Sequence, residues 1–299
     1  MKRDIQIIHA PTNIGLSRHP DGRERGCGKL PEALEKVGLH TTLGAQVFKR
    51  FEPPIYPKER TFNDGALNAL QVAGFSRELA DVVESVLDQG SFPLVLGGDC
   101  SVLVGSALAL KRNGHFGLLY LDAHHDYYHK GNRDEAVVGG MNLAIVTGKG
   151  TEILTNLGNQ KPYFKPEHVF SFGIRQADED QDIFEEVRES GITLQGTDHT
   201  IKNGAESTAA LLKGFIQKTA AVDGFWIHLD ADILDASIMS CVDCPEPEGL
   251  QWEELKVILK EVFSTNRIIG MNVTILDPEL DPKFEVVKAF SNMLTDVLS

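Results

Sequence analysis

The sequence predicts an α/β fold with a largely parallel sheet. Short apolar runs alternate with amphipathic stretches over all 299 residues, a pattern typical of strands and helices in turn. The apolar runs lack the alternation of a strand with one solvated face, so we expect helices to cover both faces of the sheet. The predicted strands are residues 5–9, 93–96, 117–121, 169–172, 225–229 and 268–275.

Amphipathic helices are predicted between these strands, because apolar residues fall there at helical spacing. The residues concerned are Leu79, Val82, Val83, Val86 and Leu87 in one helix and Leu255, Ile258, Leu259 and Val262 in another. Segments 131–140 and 236–249 are irregular enough to be long loops, but no linker or repeat interrupts the series. We therefore expect one domain over residues 1–299.

The net charge of −14 argues against a nucleic-acid or anionic-membrane partner, because both favour clustered Lys and Arg. A small neutral or cationic ligand is easier to accommodate. No apolar run is long enough to span a membrane, and the N-terminal one is too short for a signal peptide. Four scattered cysteines are too few for a disulfide framework. We expect a cytoplasmic protein with reduced thiols.

Two clusters of acidic residues and histidines follow predicted strands. Strand 117–121 runs into the sequence DAHHD at 122–126, and strand 225–229 runs into DADILD at 230–235. Open α/β sheets place their sites at the carboxyl ends of strands. Packed together, the clusters put the four carboxylates of Asp122, Asp126, Asp230 and Asp232 in one crevice, which requires a divalent cation or bound protons. Carboxylates with one or two imidazoles suit manganese or a similar ion.

Each cluster could instead be a solvated turn, because Asp caps helices and tolerates tight loops. For Asp235 alone the two interpretations are equally good, but solvated turns are a weak explanation of two clusters that both follow strands. In an extended segment His125 points away from His124, which favours packing over ligation. In GGDCS at 97–101, the glycines are expected to turn the backbone sharply and present Cys100 at the rim of the site.

Three of these segments resemble the ureohydrolase family of arginases, agmatinases and formimidoylglutamases. GGDCS is similar to the family's GGDHS, DAHHD to its DAHxD, and the run from Asp230 to its DxDxxDP, and the similarity extends over most of the chain. The resemblance implies a three-layer α/β/α domain with a mainly parallel eight-stranded sheet, assembled as a homo-oligomer, a trimer or hexamer. It also implies two Mn²⁺ ions. Their ligands would be Cys100, Asp122, His124, Asp126, Asp230 and Asp232.

By the resemblance, Asp122 and Asp230 bridge the two ions, and a hydroxide held between them attacks a guanidinium carbon. Cys100 stands where the family has a histidine, and a thiolate is a poor ligand for manganese. One site is therefore expected to be weak or to hold another divalent metal. Gly139 replaces the family's proton-shuttling histidine, and His125 or His129 is the candidate catalytic group in its place.

The substrate-binding residues also depart from the family. Ile275 replaces the glutamate that grips the guanidinium, and Asp243 is the candidate replacement, although it could equally be a solvated loop acid. Tyr128 and Glu135 stand where a typical arginase binds the α-carboxylate of its substrate. Asp178 matches the aspartate that binds the substrate's amino group.

The sequence therefore predicts a manganese-dependent hydrolase that cleaves a non-peptide C–N bond of a small guanidino or modified guanidino compound, such as N-hydroxyarginine. Two alternatives stay open. One is hydrolysis of a formimino or amidine substrate. The other is a catalytically impaired, metal-binding homologue with a structural or regulatory role, which the missing histidine and glutamate favour and the retained ligand positions oppose.

Overall fold

An eight-stranded sheet forms the centre of the computed structural model, which describes residues 4–175 and 181–299. The strands are β1 (Ile5–Ala10), β2 (Gln46–Arg50), β3 (Phe62–Asn63), β4 (Ala66–Leu67), β5 (Phe92–Gly97), β6 (Phe116–Leu121), β7 (Val169–Ile174), β8 (Thr193–Gly196), β9 (Gly224–Asp230) and β10 (Ile268–Thr274). β3 and β4 form a small antiparallel pair. The other eight are all parallel to their neighbours, in the order β2-β1-β5-β10-β9-β6-β7-β8.

Helices cover both faces of this sheet. They are α1 (Leu30–Lys36), α2 (Leu39–Leu43), α3 (Ala69–Asp88), α4 (Val102–Asn113), α5 (Asn142–Val146), α6 (Glu152–Thr155), α7 (Gln181–Glu189), α8 (Asp198–Asn203), α9 (Ala205–Lys218), α10 (Trp252–Phe263) and α11 (Glu285–Leu298). Alternate residues of β9 face opposite cores: Ile227 packs with α9, α10 and α11, and Trp226 with α3 and α4. The predicted three-layer α/β/α fold is thereby confirmed. Within residues 4–175 and 181–299, no helix is long and apolar enough to cross a membrane.

The six predicted strands are confirmed to within two residues at each end, and both predicted helices lie inside α3 and α10. The sequence did not predict β2 and β8, which are the two edge strands of the sheet. Their residues are mostly exposed or half-buried and polar. An edge strand needs no continuous apolar run, so the pattern that reveals the central strands is missing there.

The order of the strands brings the predicted site residues together. β5, β10, β9 and β6 are consecutive neighbours in the sheet, and parallel strands end at the same edge. The segments that leave β5, β9 and β6 carry Cys100, the Asp230 turn and the Asp122 turn, and Ile275 follows β10. All four therefore lie around one point at the carboxyl edge.

Candidate metal centre

The segment that leaves β6 makes a tight turn that supplies Asp122 and His124. The backbone N–H of His124 donates to Asp122 Oδ1 at 2.7 Å. His124 Nδ1 lies 3.0 Å from Asp232 Oδ2 and 3.6 Å from Asp122 Oδ1. Asp122 is buried, whereas 34% of the His124 side chain is exposed. The turn therefore reaches from the buried core to the protein surface.

The segment that leaves β9 makes a matching turn. The backbone N–H of Asp232 donates to Asp230 Oδ1 at 2.9 Å, and the backbone N–H of Ala123 donates to Asp232 Oδ1 at 3.1 Å. The second bond ties the β9 turn to the β6 turn. Both carboxylates are buried, and backbone donors fix their orientation.

Cys100 reaches this centre from the turn after β5. That turn requires glycine, because a Cβ on Gly98 would lie 1.6 Å from the carbonyl oxygen of Thr12. Cys100 Sγ donates to Asp230 Oδ2 at 2.7 Å and lies 3.4 Å from Thr274 Oγ1. The predicted sharp turn is confirmed. The predicted place at the rim is wrong, because Cys100 is only 2% exposed and lies on the floor of the site.

Potential metal ligands form two overlapping groups here, in each of which one atom per residue lies within 4.8 Å of the others. The group that we name the first subsite consists of Cys100, Asp122, His228 and Asp230. The second subsite consists of Asp122, His124 and Asp232. Asp122 belongs to both, as expected of a carboxylate placed between two ions.

Asp126 is the one predicted ligand that lies in neither group among the described residues. Its Oδ2 atom accepts hydrogen bonds from the Tyr120 hydroxyl and the Asn142 amide, both at 2.7 Å. Asp126 also has a positive φ of 42°. The structure thus brings the other five predicted ligands together and holds the Asp126 carboxylate against protein donors.

His228, Tyr120 and Asn142 are site residues that were not predicted from the sequence. A signal for the first two is present, because each lies two positions before an aspartate of the site in its strand. Residues two apart in a strand face the same side. Tyr120 and His228 stack with ring centroids 4.6 Å apart. Burial lowers the pKa of His228 to about 4.

Negative charge is in excess at this centre. Burial, and then the neighbouring Asp122, raise the pKa of Asp126, and burial and Asp232 raise that of Asp230. Burial by itself lowers the pKa of His124, but the carboxylates of Asp232 and Asp122 together outweigh it and the net shift is upward. Several buried carboxylates beside one imidazole lack a compensating charge, so the donor set of the second subsite fits a divalent cation.

A cavity of about 540 Å³ opens above the two subsites. His125, Tyr128, Asp243 and Ile275 line it, as do Cys100, Asp122, His124, Asp126, Asp230 and Asp232. His125 Nδ1 accepts a hydrogen bond from the backbone N–H of Tyr127 at 2.9 Å, so the neutral ring carries its proton on Nε2.

Two of the predicted residues, His129 and Glu135, lie away from the cavity lining. His129 Nε2 lies 2.8 Å from Glu186 Oε1, and Glu135 is exposed. Neither is among the described residues that line the cavity. Asp178 lies outside the described residues.

The structure shows what surrounds Gly139, Ile275 and Asp243, three positions at which the sequence departs from the family pattern. A Cβ on Gly139 would lie 2.7 Å from the side chain of Leu16, so Leu16 takes up the room beside this position. Ile275 has a φ of +71°, which is strained for a β-branched residue, and its backbone N–H donates to the Gly98 carbonyl at 2.8 Å. Asp243 forms an ion pair with Arg25, a residue that the sequence analysis did not single out.

The chain is similar in sequence and in fold to proteins of one known family. A model of the arginase family matches residues 3–298. The arginase of Bacillus caldovelox is 30% identical over 292 residues, covering 94% of this chain and 93% of the relative, and that of Bacillus subtilis strain 168 is 29% identical over 303 residues, covering 100% and 98%. The solved structure of the Bacillus caldovelox arginase superposes with a TM-score of 0.89 at 26% identity, covering 100% of this chain and 99% of the other.

Proposed function

Since the chain belongs to the arginase family and is a hydrolase of that family, we propose that it cleaves a C–N bond of a small guanidino or modified guanidino compound. The observation that carries this proposal is the pair of overlapping ligand groups that share Asp122 at the floor of a cavity. A cavity of about 540 Å³ is in the range that accepts a small-molecule substrate.

Manganese is the proposed metal. Asp122, His124, Asp230 and Asp232 would hold it, because carboxylate oxygens and imidazole nitrogen are ligands that manganese accepts. When bound, divalent ions of this kind lower the pKa of water enough to give a nucleophile at neutral pH. Elemental analysis of protein purified without added metal tests the identity of the ion.

Side chains of the cavity wall would protonate the leaving nitrogen and position the substrate. His125 holds a proton on Nε2 because the Tyr127 N–H occupies Nδ1, and it lines the cavity. We propose that it supplies the proton for the leaving nitrogen. Tyr128, packed edge-on against His125 with ring centroids 4.6 Å apart, would position the substrate beside that proton.

The substrate is proposed to be a modified guanidino compound because Ile275 presents an apolar surface where a charged guanidinium would need an acid. Moving such a cation against an apolar wall removes its hydration without giving it a partner. A hydroxyguanidine or another weakly basic analogue loses less hydration free energy, because it need not be charged when it binds.

The test is an assay of purified protein with added manganese against guanidino, hydroxyguanidino and formimino compounds. We expect hydrolysis of at least one guanidino-type compound, and loss of it in Asp122→Asn. Turnover of formimino compounds alone would support the alternative substrate class. No turnover of any compound by manganese-loaded protein would contradict the proposal.

A catalytically impaired homologue is the second candidate, and one observation favours it. Leu16 packs where a side chain at position 139 would project, so no group from that position reaches the substrate. The impaired form would bind manganese and yet leave every compound of the panel intact. The proposal for His125 predicts the opposite result, since it places a proton donor elsewhere in the same wall.

We also propose a homo-oligomer, a trimer or hexamer, on the resemblance to the family, and the cytoplasmic location that the sequence predicts. The continuous sheet supports one domain over residues 1–299. Light scattering on purified protein tests the oligomer size, and fractionation of cells tests the location.

A further inference from the structure

His228 is a buried histidine at the metal centre for which the proposed function has no role. It lies in β9 with no exposed surface, and its Nε2 atom is directed at the first subsite. Nε2 has no hydrogen-bond partner among the described residues, and neither has Asp122 Oδ2, which lies 3.8 Å away. Buried polar atoms are normally paired, so these two require an explanation.

The state of His228 Nε2 depends on which ring nitrogen carries a proton, and two buried neighbours determine this. Trp226 Nε1 lies 2.7 Å from Asn272 Oδ1. An indole nitrogen can only donate, so this contact fixes the Asn272 amide with its oxygen towards Trp226. The NH₂ group of Asn272 then faces His228 Nδ1, 2.6 Å away.

His228 Nδ1 must therefore accept a hydrogen bond from Asn272. A neutral imidazole that accepts at Nδ1 carries its proton on Nε2, and a charged imidazole carries one there as well. In either case an N–H group points at the first subsite. Stacking on Tyr120, with the ring planes 12° apart, holds the ring in this orientation.

An N–H group cannot coordinate a metal, because it has no lone pair to offer and its proton repels a cation. It is instead complementary to the Asp122 Oδ2 acceptor. The gap of 3.8 Å is too long for a hydrogen bond, but shortening it by about 0.8 Å would bring it into the usual range. That bond would use the Asp122 oxygen that has no other hydrogen-bond partner among the described residues.

The rest of the first subsite is also satisfied by protein donors. Cys100 Sγ and the Thr274 hydroxyl both donate to Asp230 Oδ2, at 2.7 and 3.4 Å. In the second subsite, His124 lines the cavity with 34% of its side chain exposed. Its Nδ1 faces the carboxylates of Asp122 and Asp232, which are ligands of the same subsite, so a cation could lie between the three groups.

We propose that Asn272 and Trp226 lock His228 in the tautomer with N–H at Nε2, and that this lock selects for one tightly bound divalent ion, in the second subsite. His228 is thus a residue that sets metal stoichiometry. The inference rests on the metal centre of the proposed function, but it does not depend on which substrate is hydrolysed.

The lock can be reversed by one isosteric substitution, Asn272→Asp. A carboxylate accepts from Trp226 Nε1 and also from His228 Nδ1, so the ring proton moves to Nδ1 and Nε2 gains a free lone pair. His228 then becomes a ligand of the first subsite, beside Cys100, Asp122 and Asp230.

The experiment is titration of metal-free wild type and Asn272→Asp with Mn²⁺ by calorimetry, with metal content measured after dialysis. We expect about one ion per wild-type chain and about two per variant chain, with the second ion bound at least tenfold more tightly than in the wild type. The double variant Asn272→Asp/His228→Ala keeps the added charge but loses the ligand, and should return to one ion.

Two wild-type ions of equal affinity would overturn the inference, as would one ion in Asn272→Asp or two in the double variant. Nitrogen-15 NMR of the wild-type histidines gives a second readout that does not depend on the variants folding: a His228 ring protonated only at Nδ1 would overturn the lock. A wild type that binds no metal would contradict the proposed function as well, whereas the other outcomes concern His228 alone.

Discussion

Arg25 forms an ion pair with Asp243 in the wall of the cavity above the two metal subsites. Both side chains are about four-fifths buried, with 23% and 18% of their surfaces exposed. Burial raises the pKa of Asp243, and the charge of Arg25 opposes that shift. The carboxylate that the sequence nominates for a substrate guanidinium therefore already holds a guanidinium of its own chain. A substrate would have to share Asp243 with Arg25 or displace it.

Replacing Cys100 by histidine is expected to strengthen the weaker metal position, on the order of tenfold in Mn²⁺ affinity, because imidazole suits manganese better than a thiol does. The measurement is metal content after dialysis of Cys100→His against wild type. Cys244→Ser, which changes a thiol elsewhere in the cavity lining, is the matched control. Two tightly held manganese ions in the wild type, with no change in Cys100→His, would show that the softness of the thiol is irrelevant.

The sequence was sufficient to predict the central strands and the aspartates that follow them. Those predictions rest on apolar runs and on charge at strand ends, which are local patterns. His228 was missed because it lies inside an apolar run, where one polar residue is easily read as a core histidine. Its importance follows from Asn272, which meets it only through the pairing of β9 with β10. The role of Arg25 likewise depends on a contact with residue 243, over two hundred positions away.

Removing metal is expected to lower the thermal stability, and more so at higher pH. The raised pKa values of Asp126 and Asp230 mean that the folded, metal-free protein binds protons which the unfolded chain releases. That stabilisation is present at low pH and is lost as the pH rises through the raised values. A metal at 100 times its dissociation constant contributes about 2.7 kcal/mol.

The measurement is the Tm with excess manganese and with chelator, at about pH 6 and about pH 8. Readdition of manganese to the chelated sample is the control and should restore the Tm. If the Tm difference between manganese-loaded and chelated protein becomes smaller as the pH rises, the charge argument is contradicted.

A buried pair of histidines, His9 and His40, is expected to make stability fall on acidification. His9 Nε2 lies 2.7 Å from His40 Nε2, and Arg50 lies 2.9 Å from His9 Nδ1. Burial, and then Arg50, lower the pKa of His9 from 6.5 to about 4, and burial lowers that of His40. Between pH 6.5 and about pH 4, the unfolded chain binds protons that the folded chain does not. The free energy of unfolding should thus be fully retained above about pH 6.5 and decrease as the pH falls towards 4.

Urea unfolding across this pH range tests the histidine pair. The double variant His9→Gln/His40→Gln should show a shallower decrease than the wild type, whatever its absolute stability. His115→Gln, at an exposed histidine, should leave the slope unchanged. If the free energy of unfolding falls equally steeply with pH in the wild type and the double variant, the histidine pair is not the cause of the decrease.

Unmodified arginine is expected to be a poor substrate, because Ile275 offers its guanidinium no charged partner. Ile275→Glu should raise kcat/KM for arginine by at least about tenfold, which corresponds to about 1.4 kcal/mol of transition-state stabilisation. Ile275→Gln, which has the same length without the charge, is the matched control. Efficient arginine hydrolysis by the wild type would contradict this prediction directly.

Asp243 is expected to bind the substrate in place of the missing glutamate, and the test must allow for Arg25. Asp243→Asn should reduce turnover of the best guanidino substrate more than about tenfold, while the metal content stays the same, because Asp243 belongs to neither subsite. Arg25→Met should have the opposite effect on binding, lowering KM for a cationic substrate, since it releases the carboxylate from its internal partner. Glu248→Gln, at another acid of the same cavity wall, is the control. If Asp243→Asn and Arg25→Met both leave the kinetics unaltered, the ion pair is a structural feature of the loop, and the substrate must be bound by other residues.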